Sequence, residues 1–287
     1  MNDNDGERPE EEHLVALDGL RDREAASERS LAPSLRQEQI AEYVIQHGQV
    51  SAKKLAEMFN VSLMTIHRDL DELERQGILR KLRGYATTQP SSVFESNVRY
   101  RLTTAQAEKE AIARRAFELI EPGQVVMLDD STSALHLARL LPQLVPLTVI
   151  TNFLAIIKEL APVKGLRLIA LGGEYTPSHD SFNGIVCTSA IESLRADIFF
   201  GSVSAIADGI AFHQEQEIVV VKQAMMRSSK TKVLLADHNK FHRTALHKLA
   251  PLEAFDLVIL DSGVDPDIPA ELRKEGIHFE IVEVAGG

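Results

Sequence analysis

Residues 61–80, VSLMTIHRDLDELERQGILR, put hydroxyls, a thioether, an imidazole and a guanidinium at the head of a helix, with the carboxylates a turn later. A helix N-terminus carries unpaired N–H groups and the positive end of the peptide dipole, so polar and cationic side chains gathered there suit an anionic partner. Ile66, Leu70 and Leu73 recur at i, i+4 and i+7 and supply the packing stripe. Leu63, Met64, His67 and Arg68 lie off that stripe and are expected to face outward. Arg68 can meet guanine bidentately or hold a phosphate, and Ser62 and Thr65 can donate to phosphate. The competing reading is local: Ser62 only caps, and Arg68 only pairs with Asp69, Asp71 or Glu72.

A second anion-seeking stretch is VVMLDDSTSALHLARLL, from Val125 onward. It runs from a strand through a hydroxyl-rich turn into a helix, which puts Ser131, Thr132 and Ser133 where open α/β sheets bind ligands. Asp129 and Asp130 beside them suit sugar hydroxyls as acceptors. Alternatively, Asp130 or Ser131 simply caps the helix. Other strand ends offer comparable groups: Asn152 after LTVIT, Gly172 and Gly173 after LRLIAL, and Asp237 with Lys240 after KVLLA. Together they suggest a pocket for a polyol phosphate. A tight turn at the two glycines and a solvated loop at Lys240 remain as the plainer readings.

The elements that must carry these groups follow from periodicity. A helix with Ile40 and Val44 closes at Gly48. Ser51 caps a short helix with Leu55 and Phe59, and Lys53 and Lys54 at its start are placed for DNA backbone contact. Ser62 caps the third helix, Gly77 ends it, and ILRKLRGYATT reads as a β-hairpin turning at Arg83-Gly84. Arg80, Lys81 and Arg83 ride on that hairpin. Helix, helix, turn, helix, hairpin is the winged helix-turn-helix order, assigned to residues 35–88. Residues 1–34 are acidic and aperiodic and are expected to be a disordered tail with a short helix near Leu14–Leu20. Residues 89–104, with Pro90, Ser91 and Ser92, read as a linker. In residues 105–287 near-continuous apolar strands alternate with helices, which predicts a mostly parallel sheet in an α/β domain.

The 287 residues carry a net charge of −11, which looks wrong for a nucleic-acid binder until it is divided. Residues 1–34 hold ten acids and four bases, whereas residues 36–88 hold eight bases and seven acids. Binding depends on the few phosphates contacted, so local charge is what counts. One cysteine, Cys187, allows no internal disulfide, and a cytoplasmic setting is expected. No apolar run reaches the ~18 residues of a membrane helix. No phosphate-binding P-loop is present, and His238, His242 and His247 read as solvated loop residues.

The stretch RQEQIAEYVIQHGQVSAKKLAEMFNVSLMTIHRDLDELERQGILRKLRGYATT resembles the DNA-binding module of DeoR-family transcriptional regulators. His67 stands where that family usually has the first arginine of a pair, and Tyr85 where the wing usually has a second glycine. From Glu108-Lys109 to Asp261, through LDDSTS, VITN, LGGEY, FFGSVSAIADG, VVVKQAMM and LLADHNKF, the chain is similar to the family's sensor domain. That domain is similar in fold to ribose-phosphate isomerase. The resemblance implies that Ser131, Thr132 and Ser133 hold an effector phosphate, with Asp129, Asn152, Gly172, Gly173, Lys222, Asp237 and Lys240 lining or supporting the pocket.

The expected function is a transcriptional repressor of a carbohydrate or sugar-alcohol operon, without cofactor or metal. It would bind double-stranded operator DNA as a dimer or higher oligomer and be released by a phosphorylated sugar or polyol. The alternative is a sugar-phosphate isomerase carrying an accessory DNA module, with Glu215 or Glu217 as general base.

Overall fold

Pro33 at the first helical position opens α1 (Pro33–His47), and Gly48, at φ 71°, closes it. β1 (Gln49–Ser51), α2 (Ala52–Phe59), α3 (Leu63–Arg75), β2 (Arg80–Leu82) and β3 (Tyr85–Thr87) follow. Ser51 Oγ accepts from the Lys54 N–H at 3.2 Å, and Ser62 Oγ from the Thr65 N–H at 3.1 Å, so both expected caps form. Ile40, Val44, Leu55, Ile66, Leu70 and Leu73 meet in one core with Val50, Leu79 and Ala86. The wing has a strand that periodicity did not reveal, because three residues are too short to show alternation. β1 pairs antiparallel with β3, giving a three-stranded sheet in the order β1-β3-β2.

The computed structural model describes residues 32–284, in two units that divide between Thr87 and Thr88. Most of the expected acidic tail, with its helix near Leu14–Leu20, lies outside the described residues.

The second unit begins with an irregular stretch and α4 (Val98–Thr103), α5 (Gln106–Phe117) and β4 (Val125–Leu128). Then come α6 (Thr132–Ala138), β5 (Leu147–Thr151), α7 (Leu154–Leu160), β6 (Leu166–Ala170), β7 (Glu174–Thr176), β8 (Ser181–Asn183) and α8 (Gly184–Glu192). β9 (Ala196–Gly201), β10 (Ala205–Ala207), β11 (Ile210–His213), α9 (Gln216–Arg227) and β12 (Ser229–Ala236) lead to β13 (His247–Pro251), β14 (Leu257–Asp261), α10 (Ile268–Lys274) and β15 (Phe279–Val282). Seven strands form one wholly parallel sheet in the order β15-β14-β12-β9-β4-β5-β6. Alternate residues feed two cores, one on each face: Met127, Phe199 and Leu234 on one side, and Leu128, Phe200 and Leu235 on the other. The hairpin β7–β8 and the antiparallel sheet β10-β11-β13 are additions.

The stretch expected as a linker packs into this unit instead. Glu95, Ser96, Asn97 and Val98 are buried, and residues 98–103 are helical. Its few apolar side chains hid this, because much of its burial is polar. Among the described residues no helix is long and apolar enough to cross a membrane.

In strand order β4 is flanked by β5 and β9, with later strands added outward from β9 and β6 outward from β5. The order therefore reverses between β4 and β9, and such a switch point opens a crevice at the strand carboxyl ends.

Candidate functional site

At the first unit's exposed face, Ser62, Leu63, Met64 and Arg68 are all exposed, with Met64 at 65%. The three carboxylates offered as local partners for Arg68 are engaged elsewhere. Asp69 is buried and accepts from Arg36 Nε at 2.7 Å and Gln37 Nε2 at 3.0 Å. Asp71 pairs with Lys81, and Glu72 accepts from Arg75 Nε at 3.0 Å. Lys53 faces solvent beside Glu57, and Lys54 lies 5.4 Å from the centre of the Tyr43 ring. Arg83 is exposed at the hairpin turn, while Arg80 is half-buried.

Two residues depart from expectation. His67, expected to face outward, is half-buried, and its Nδ1 is enclosed without a partner. Lys81, expected as a free wing cation, reaches back to Asp71, its Nζ 3.5 Å from the His67 carbonyl. The hairpin packs against α3, and that contact brings Lys81 over the helix.

In the second unit a cavity of about 340 Å³ opens over the switch point. Residues 130–133 after β4, 202–204 after β9 and 237–240 after β12 line it, joined by Tyr100 and Arg101 of α4, Lys109 of α5, His213 and Lys222. Glu95 and Arg243 complete the polar wall. Ser131 is the cap of α6: its Oγ accepts from the Ala134 N–H at 3.1 Å, and its own N–H donates to Asp129 Oδ1 at 3.0 Å. Thr132 and Ser133 are then the first helical residues, whose N–H groups have no intrahelical acceptor.

Beneath the cavity Asp129 and Lys222 form a buried ion pair, and Lys222 Nζ also lies 3.2 Å from Asp130 Oδ1. Asp129 does not line the cavity. Its Oδ2 accepts from the Ser202 N–H at 2.8 Å, so it ties the β4 end to the β9 end. Gly201 makes room for this, since a Cβ there would stand 2.9 Å from Asp129 Oδ2 and 2.3 Å from the Phe199 ring. Burial alone would raise the Asp130 carboxyl; the Lys222 ammonium, with His179 and Arg101, outweighs it and holds the group well below the usual carboxylate range. Lys222 is correspondingly raised, because Asp129 and Asp130 overcome its burial.

Arg101, Lys109, Lys240 and Arg243 gather on the cavity wall. Burial, then the charges of Lys240, Arg101 and Arg243, push Lys109 down to about 7 against the opposing pull of Asp237. Lys240 is lowered too, by burial and by Arg243 and Arg101. Glu95 is held at about 2: burial would raise it, and Arg101, His213 and Lys240 more than compensate. His213 is pushed down to about 3, chiefly by burial. The wall thus combines cations at Arg101, Lys109, Lys240 and Arg243 with carboxylates at Asp130 and Glu95.

Of the residues singled out in the sequence, Asp130, Ser131, Thr132, Ser133, Lys222, Asp237 and Lys240 converge on this cavity. Asn152, Gly172 and Gly173 do not. They follow β5 and β6, on the other side of the switch point; the β7–β8 hairpin folds onto Asn152, whose carbonyl accepts from the Phe182 N–H at 3.0 Å, while Gly172 and Gly173 are exposed. Gly173 serves packing, since at φ +151° a Cβ would stand 2.3 Å from the Asn183 carbonyl oxygen. Glu215 and Glu217 also lie off the cavity lining, and Glu215 instead meets His179 Nε2 at 2.7 Å. Sequence reading missed Glu95, Tyr100, Arg101, Lys109, Ser202, Ser204, His213 and Arg243. Ser202 and Ser204 follow the strand DIFFG, so the strand-end rule applied there would have found them. The others come from helices, loops and, for His213, the antiparallel strand β11, where no such rule applies.

Residues 36–91 match the DeoR-like helix-turn-helix domain, and residues 104–262 match the DeoR C terminal sensor domain. The chain is 32% identical to Transcriptional repressor AccR of Agrobacterium fabrum, over 84% of this chain and 95% of that protein. It is 31% identical to the Glycerol-3-phosphate regulon repressor of Escherichia coli K12, over 84% and 96% of the two chains. With the L-fucose operon activator of Haemophilus influenzae it shares 29% identity, over 87% and 98%. Among solved structures, ribose 5-phosphate isomerase A of Methanocaldococcus jannaschii aligns at TM-score 0.35 and 15% identity, over 46% of this chain and 53% of that one. Two matched domains covering the winged helix and the cavity, and relatives aligned along nearly their whole length, place the chain: it belongs to the DeoR family of transcriptional regulators.

Proposed function

We propose that the protein represses a carbohydrate or sugar-alcohol catabolic operon and is released from its operator by a phosphorylated sugar or polyol bound over the switch point. The observation that carries this reading is the cavity wall. Four cationic side chains gather there with the first-turn N–H groups of Thr132 and Ser133, while Asp130 offers an ionised acceptor. A phosphate ester fits the cations and first-turn N–H groups, and hydroxyls fit the Asp130 carboxylate. Lys109 strengthens the argument, since a dianion beside it would restore a proton that its cationic neighbours disfavour.

The same wall speaks against isomerase chemistry. The carboxylates that an isomerase reading would use as general base, Glu215 and Glu217, both lie off the cavity lining. For the first unit, the exposed leading turn of α3 supports duplex recognition, with Arg68 as its cation and Leu63 and Met64 as apolar contacts for thymine methyls. Winged helices read two half-sites through two copies, so the assembly on DNA is at least a dimer.

A thermal-shift screen over phosphorylated sugars and polyols tests the cavity, since a bound ligand raises the melting temperature by mass action. Ligands that raise it should also release a duplex taken from upstream of the protein's own operon. Absence of any response to phosphate esters would remove the sensor half of the proposal.

A further inference from the structure

Most of the cavity wall stands on regular structure: the ends of β4, β9 and β12, and helices α4, α5 and α9. Glu95 does not. It sits in the irregular residues 88–97, the stretch that continues from β3 of the winged-helix unit. Its carboxylate is buried and fully engaged by uncharged donors. Oε2 accepts from the Ser204 hydroxyl, and Oε1 accepts from the Ser96 N–H at 2.8 Å and the Ser96 hydroxyl at 3.2 Å. Among the described residues no cation lies within ion-pairing distance, and its charge is balanced at longer range by Arg101 and Lys240. Those are two of the cations that an anionic effector would use.

The geometry points to Glu95 as a tethered anion that competes with the effector: an anionic ligand expels its carboxylate from the Ser204 hydroxyl and so loosens residues 88–97, the stretch leading into the DNA-binding unit. This rests on reading the cavity as a phosphate-ester site. Two like charges close to the same cations repel strongly away from bulk water. Of the two, the carboxylate is the one free to leave, because its stretch has no helix or strand ladder. The bonds that hold it include the Gln214 side-chain N–H on the Ser91 carbonyl at 3.1 Å and the Ser204 hydroxyl on Glu95. The arrangement also selects ligand class, since a neutral sugar can fill space but cannot expel a carboxylate. Coupling is reciprocal: the factor by which operator binding, with Glu95 held in place, weakens the ligand is the factor by which the ligand weakens operator binding.

Inorganic phosphate and glycerol 3-phosphate are the probes, titrated by calorimetry into the full-length protein, with operator duplex affinity measured by fluorescence anisotropy. Glu95→Gln should bind both probes more tightly, by about fivefold to 150-fold, the usual span of allosteric coupling, and should hold the operator more weakly by a comparable factor without added ligand. Ser204→Ala keeps the charge and removes its anchor, and should shift both affinities in the same directions by less. If Glu95→Gln does not fold, Ser204→Ala decides. Wild-type binding of the probes with no tightening in the variants overturns the role of Glu95 alone. No wild-type binding of either probe overturns the phosphate-ester reading, and this inference with it.

Discussion

The Lys109 ammonium donates to the backbone carbonyls of Arg101 and Thr104 at 2.5 and 2.6 Å, closing the corner between α4 and α5 while facing the cavity. It spans an N-terminal corner at which Ala105 adopts left-handed backbone, φ 49°. Removing the ammonium strands two carbonyls and deletes a charge-assisted donor to phosphate. Lys109→Met should weaken effector binding by roughly 10- to 100-fold, the equivalent of one hydrogen bond to a charged group. Calorimetry with the ligand found by thermal shift checks this.

The same lysine predicts a pH dependence with a definite sign. Its folded-state value, about 7, lies below the usual 10.5, first because of burial and then because of Lys240 and Arg101. Between these values the unfolded chain binds a proton that the folded chain lacks, so stability rises with pH across that window. Below about 7 both states are protonated and the full penalty remains. Unfolding midpoints measured from pH 7 to 10 should climb in the wild type relative to Lys109→Met, in which this contribution is missing. Effector binding at pH 8 should also take up a proton, visible as buffer-dependent calorimetric heats.

Arg36 and Asp69 tie α1 to α3 through a two-point ion pair, Nε–Oδ2 at 2.7 Å and Nη2–Oδ1 at 3.2 Å, with both side chains buried. Breaking one side leaves an uncompensated charge inside the winged helix. Arg36→Ala should destabilise that unit by about 3–5 kcal/mol. Urea unfolding followed by circular dichroism should show an early transition confined to the first unit.

Arg68 is exposed, and its neighbouring carboxylates have other partners. Arg68→Ala should weaken operator binding about tenfold. If the guanidinium holds a phosphate, the loss will be similar for all sequences and the slope of log affinity against log salt will fall by about one. If it reads guanine, the loss will concentrate on one base pair. Anisotropy titrations over a salt series separate the two, and an unchanged affinity takes Arg68 out of the interface.

Thr132→Asp adds a carboxylate in the first turn of α6 without disturbing the Ser131 cap. Repulsion of phosphate should lower effector affinity at least tenfold and give a repressor insensitive to effector, with operator affinity unchanged. A reporter assay with and without inducer measures it.

Chain-local rules carried much of this protein. Helix caps at Ser51, Ser62 and Ser131, the Ile66–Leu70–Leu73 stripe and the apolar strands of the parallel sheet all arise from residues a few positions apart. A period of 3.6 or 2 is enough to expose them. The hydroxyl turn after β4 was legible for the same reason, being a strand-to-helix junction read within ten residues. The irregular wall was not: residues 95–104 have a linker's composition yet contribute Glu95, Arg101 and Thr104 to the cavity.

By itself, then, the sequence determined two anion-seeking helix starts and the scaffolds beneath them, because local periodicity and capping need only neighbouring residues. Only the tertiary structure decided which strand ends share a cavity. Strand order sets β4 between β9 and β5, and the cavity opens on the β9 side, so it admits Ser202, Asp237 and Lys240 while the β7–β8 hairpin covers Asn152 after β5. It also decided ionisation, since Lys109 at about 7 and Glu95 at about 2 follow from burial and from charges many residues away.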